Sequence, residues 1–91
     1  MKGAALGDTE NMPRFMLSHR HDPQECGVVF TSFKAFASPL RGSTVRASCD
    51  FGTHHIWWEV EAPSEDAALA QLPRYVADRT AALRIRELRT P

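Results

Sequence analysis

Apolar and polar positions alternate most regularly between Ser43 and Ala62. Ser43, Val45, Ala47, Cys49 and Phe51 fall on one parity, and Thr44, Arg46, Ser48 and Asp50 on the other, the period of a half-buried strand. Gly52 and Thr53 then turn the chain, and the alternation resumes with His54, Ile56, Trp58, Val60 and Ala62 against His55, Trp57, Glu59 and Glu61. A two-residue loop opposes Phe51 to His54, Cys49 to Ile56, Ala47 to Trp58 and Val45 to Val60. The apolar side chains of both strands then share one face, which helices must cover.

The rest of the chain supplies those helices and two more strands. Phe15, Leu17, His19 and His21 share one face of a strand over Arg14 to His21, with Met16, Ser18 and Arg20 on the other. Asp22-Pro23-Gln24-Glu25 reads as a helix start, with Asp as N-cap, Pro at the first helical position and Glu completing a capping box. Cys26, Val29, Phe30 and Phe33 then form one stripe, and the helix is expected to stop near Ala37, because Ser38 precedes Pro39. Ser64 caps a second helix with Glu65 and Asp66 in its first turn, and Pro73 breaks it before a short turn through Tyr75, Val76 and Arg79. A final strand is expected over Ala82 to Leu88. Residues 1–12 show no period and are expected to be a flexible leader, leaving residues 13–91 as one domain.

The order β-α-β-β-α-β with right-handed crossovers predicts an α+β, ferredoxin-like fold. Its antiparallel sheet would have the order 4-1-3-2, with both helices on one face. Eleven basic and eleven acidic side chains cancel, so no global field draws the protein to nucleic acid or anionic lipid. No apolar run approaches a membrane span and no signal-peptide layout opens the chain, so the expected compartment is the cytoplasm, where Cys26 and Cys49 are thiols. The expected partners are therefore neither nucleic acid nor membrane.

The strand Ile56-Trp57-Trp58-Glu59-Val60-Glu61, the following Ala62-Pro63-Ser64-Glu65-Asp66-Ala67 and the Leu72-Pro73 break resemble the small muconolactone isomerase-like proteins of the dimeric α/β-barrel superfamily. The resemblance covers Arg14 to about Arg89. It implies a homodimer in which two sheets meet across their open faces, on a scaffold that serves isomerases, cofactor-free monooxygenases and metal binders alike. None of the isomerase's catalytic residues maps onto this chain.

Two places can carry chemistry. On the open face the expected pairing sets Arg46 opposite Glu59 and Ser48 opposite Trp57, with His55 near the turn and Arg20, Arg84 and Arg86 on neighbouring strands. Guanidinium groups beside an aromatic ring suit a small anionic aromatic ligand, so Arg20, Arg46, Trp57 and Arg84 are the candidate binding residues. His55 and Glu59 are the candidate acid–base pair. The plainer alternative is that Arg46–Glu59 and Arg20–Glu61 are ion pairs on a dimer interface. Trp58 is expected in the core beside Phe30 and Phe33.

At the end of the first strand, His19, His21 and Cys26 can meet around a divalent transition metal, whereas Cys49 and His54 are expected at the opposite end of the sheet. His54 and His55 point to opposite faces and cannot share an ion without a local bulge. The expected function is binding of a small anionic or aromatic metabolite, for which no cofactor is needed. An isomerase, cyclase or cofactor-free monooxygenase and a transition-metal-binding protein are the alternatives.

Overall fold

The computed structural model describes residues 12–91; the expected leader lies outside them except for Met12. Strand β1 (Arg14–Arg20) leads through a 3-10 turn (Pro23–Glu25) into helix α1 (Cys26–Lys34). Strands β2 (Arg46–Ala47) and β3 (His55–Glu61) follow, then helices α2 (Glu65–Leu69) and α3 (Arg74–Ala77) and strand β4 (Thr80–Ile85). The four strands form one antiparallel sheet in the order β2-β3-β1-β4, which is 4-1-3-2 counted from the other edge. Among the described residues no helix is long and apolar enough to cross a membrane.

Local chemistry explains the boundaries. The Asp22 N–H donates to the Glu25 carboxylate at 2.9 Å, closing the turn before α1 as the Asp-Pro-Gln-Glu sequence suggests. Ser64 Oγ accepts the Ala67 N–H at 3.1 Å and caps α2. Helix α2 already ends at Leu69 and tightens into a turn through Leu72, so Pro73 stands between the two helices and α3 begins immediately after it.

Phe15 and Leu17 from β1, Ile56, Trp58 and Val60 from β3, Val29 from α1 and Val76 from α3 are buried together on the helix-covered face. Trp58 lies 6.0 Å from Phe33, ring to ring, as the stripe on α1 predicts. Phe30 is different. It is 57% exposed, while its neighbour Val29 is the residue that α1 buries in the core.

The hairpin also departs from expectation. Arg46 opposes Trp57 and Ala47 opposes Ile56, two residues away from the register of a Gly-Thr loop. Ser48 is the cause. Its N–H donates to the His55 carbonyl at 3.0 Å, its hydroxyl accepts the His55 N–H at 3.1 Å, and its carbonyl accepts the Phe51 N–H at 2.9 Å, so the chain leaves the ladder there. Gly52 adopts φ +98°, a conformation that favours glycine, and completes a six-residue turn from Ser48 to Thr53. A shift of two preserves which face each residue occupies, so the core survives, but Cys49 becomes a turn residue and Phe51 is 85% exposed.

The last strand starts at Thr80 rather than Ala82, and its faces are reversed from those expected. Ala82 opposes Leu17 and Arg84 opposes Phe15, while Leu83 opposes Met16 on the open face. Half-buried Ala82 packs against the core and Leu83 is left exposed.

Leu17, fully buried on the central strand β1, gives the fold its most direct test. Leu17→Ala is expected to cost about 2–5 kcal/mol in urea unfolding. Leu88→Ala, at a 73% exposed position beyond β4, should stay within about 0.5 kcal/mol of the parent protein.

Candidate metal centre

Strand β1 runs antiparallel to β3, and their register sets Arg20 against His55; one step further the His21 N–H donates to the His54 carbonyl at 3.1 Å. The end of β1 therefore lies beside the start of β3, where the β2–β3 turn also lies. That geometry overturns the expectation that Cys49 and His54 sit at the far end of the sheet from His21. Strands β1 and β2 flank β3 and run the same way, so both finish at one edge.

Four side chains converge there: His21 from the end of β1, Cys26 from the first turn of α1, Cys49 from the hairpin turn and His54 just before β3. Their ligand atoms all lie within 4.8 Å of one another. Cys26 Sγ is 3.1 Å from His21 Nε2 and 3.3 Å from His54 Nδ1. In a tetrahedral zinc site, bonds of about 2.0–2.3 Å separate the donors by roughly 3.3–3.8 Å. The cluster could hold a metal ion. His21 is buried, while Cys26, Cys49 and His54 are half-buried, which leaves one side within reach of solvent.

His19, expected as a ligand, stands one step back. Its Nε2 is 3.0 Å from His21 Nδ1 and its Nδ1 is 3.1 Å from Thr80 Oγ1, so both ring nitrogens are engaged away from the sulfurs. His55 is on the other face, edge-on to Trp57 with centroids 5.5 Å apart. The clue to the full ligand set is a mirrored spacing, His21-x4-Cys26 and Cys49-x4-His54. It can be read only once the two halves are known to meet.

Burial, reinforced by the neighbouring imidazole, lowers the pKa of His19 and of His21. The shift favours the neutral imidazole, the form in which histidine ligates metals. Burial also raises the Cys49 thiol pKa, with the adjacent Cys26 adding to the rise. A bound cation would reverse that, because it favours the thiolate.

The open-face residues are less united. Arg46, Trp57 and Glu59 line one groove with Met16, Leu40 and Val45. Arg84 is separated from them, because β4 presents it on the side of Phe15. The expected Arg46–Glu59 and Arg20–Glu61 pairs are replaced. Arg14 binds Glu59 at 3.2 Å and Glu61 at 2.9 Å, since it opposes Glu61 in the ladder whereas Arg20 opposes His55. Comparison with family models, with curated proteins and with solved structures found no match.

The cluster is braced from α3. Glu25 Oε2 accepts the Tyr75 hydroxyl at 2.6 Å and Arg79 Nε at 3.1 Å, and the Arg79 guanidinium lies 3.7 Å above the Tyr75 ring. The Tyr75 hydroxyl, the Asp22 backbone N–H and then Arg79 hold the Glu25 carboxyl at a pKa of about 2, below its ordinary 4.5. A depressed carboxylate contributes stability that is present above the unfolded value and is lost as pH falls through the folded one. Acid titration of unfolding should therefore show stability falling between pH 4.5 and about 2, and Glu25→Gln should flatten the curve in that window.

Proposed function

We propose that this protein binds a divalent transition metal, zinc by preference, through His21 Nε2, Cys26 Sγ, Cys49 Sγ and His54 Nδ1. The observation that carries the reading is the convergence of four donor atoms, within 4.8 Å of one another, from two stretches of chain far apart in sequence, 21–26 and 49–54. Two thiolates and two neutral imidazoles are the donor set of a tetrahedral zinc centre. Four protein donors complete the coordination shell, so the ion holds structure rather than activating a water. It would tie the end of β1, the start of α1 and the hairpin turn together, where Cys49 otherwise hangs on a loop.

Titration of the metal-free chain with Co(II) followed by Zn(II) tests this directly. One ion per chain is expected, with a tetrahedral thiolate–cobalt spectrum that zinc displaces and a zinc-dependent rise in Tm. Cys26→Ser and Cys49→Ser should each remove the spectrum, and acidification should release the metal as its ligands are protonated. Absence of binding, or binding that both substitutions leave intact, contradicts the reading.

A second reading concerns the open face, where Arg46, Trp57 and Glu59 share a groove of about 300 Å³. An anionic aromatic metabolite would pair its carboxylate with Arg46 and lie against Trp57. His55 and Glu59 would be the acid–base candidates, and Arg20, on the same face, a further cation. Leu83, 67% exposed on that face, is what a second copy of the chain would cover in the barrel-like ferredoxin dimer. Benzoate should quench tryptophan fluorescence in the parent protein and fail to do so in Arg46→Ala; no quenching in the parent sinks this reading.

A further inference from the structure

His21, Cys26, Cys49 and His54 account for the donor set, but not for the buried His19 or for how His21 presents the correct nitrogen. We infer that His19 is a positioning residue that locks His21 in the tautomer whose Nε2 lone pair faces the cluster. The inference rests on the metal reading above and extends it to residues that touch no ion.

The argument follows the protons. Thr80 Oγ1 donates its one proton to the Val76 carbonyl at 2.6 Å, since a carbonyl can only accept. Toward His19 Nδ1, at 3.1 Å, that hydroxyl must therefore accept, so the His19 proton is on Nδ1. His19 is fully buried and its ring bonds only to Thr80 and His21 among the described residues, with no carboxylate to compensate a charge, so it is uncharged and has a lone pair on Nε2, 3.0 Å from His21 Nδ1. The His21 proton is on Nδ1, donating to His19, and its Nε2 carries the lone pair 3.1 Å from Cys26 Sγ. Each link fixes the next, from a backbone carbonyl on α3 to the nitrogen offered to the ion. Metal-binding histidines commonly donate their second N–H to such a partner, which orients the ring and raises its basicity.

The chain also explains why two histidines at i and i+2 are buried on one strand face. His19 is fully buried and 6.1 Å from the Trp58 ring, a place where a hydrophobic residue would pack as well. A leucine there fills space but leaves the His21 N–H without an acceptor. A glutamine can restore one through its side-chain oxygen.

The test compares His19→Leu, His19→Gln and Thr80→Val with the parent protein, using Zn(II) and Co(II) affinity, thermal stability of the metal-free form and the 15N NMR signature of the His21 ring. Expected are an Nδ1-protonated His21 in both metal-free and zinc-loaded parent, an affinity loss of about 10–100-fold in His19→Leu, substantial recovery in His19→Gln, and an intermediate loss in Thr80→Val. Zinc bound through His21 Nδ1, parent-like affinity in a folded His19→Leu, or equal losses in the Leu and Gln variants would each overturn the positioning role. If the parent binds neither ion, the metal reading fails with it; if the parent binds and only these variant results disagree, the positioning role alone falls.

Discussion

The pairing of β1 with β3 is the constraint on which everything else depends. It sets the central ladder, places Phe15, Leu17, Ile56, Trp58 and Val60 on one covered face, and brings His21 against His54 through a backbone bond of 3.1 Å. Because β1 and β2 flank β3 and run in the same direction, the end of the first strand and the hairpin turn share one edge. The start of α1, which follows β1 directly, delivers Cys26 to the same place. The candidate metal centre is thus a consequence of topology as much as of residue choice.

Its support comes from two directions. On the strand side, Thr80 and His19 stand behind His21 in a line of hydrogen bonds that is buried at the two histidines and half-buried at Thr80. On the helix side, Glu25 gathers the Asp22 N–H, the Tyr75 hydroxyl and Arg79, fixing the first turn of α1 to α3. The turn that carries Cys49 is held by Ser48 through backbone and hydroxyl bonds to His55. Each donor therefore sits on, or next to, a segment whose own bonds are satisfied, which is the condition for a site of fixed geometry.

Much of this was legible in the residues. Period-two alternation identified β1 and β3 and the face that Trp58 and Trp57 each occupy. Asp22, Ser64 and Pro73 marked the helix boundaries, because caps and proline act within a few residues of themselves. Features set by longer-range balance were not legible. Ser48 competes with the ladder and opens a six-residue turn, shifting the hairpin by two, and no local pattern shows that the hydroxyl will win. In β4 both parities carry an apolar residue, and small Ala82 rather than Leu83 faces the core beneath the helices. That exchange moved Arg84 off the open face. His19, His21 and Cys26 were recognisable as a group, but the remaining two donors depended on the relative direction of strands, and His19 stands behind His21 rather than among the donors.

X-ray absorption at the zinc edge of the zinc-loaded full chain is the most direct measurement of the central claim. The account predicts two sulfurs at about 2.3 Å and two imidazole nitrogens at about 2.0 Å in a four-coordinate shell. A shell of nitrogen and oxygen alone, or six-coordinate zinc, would contradict it.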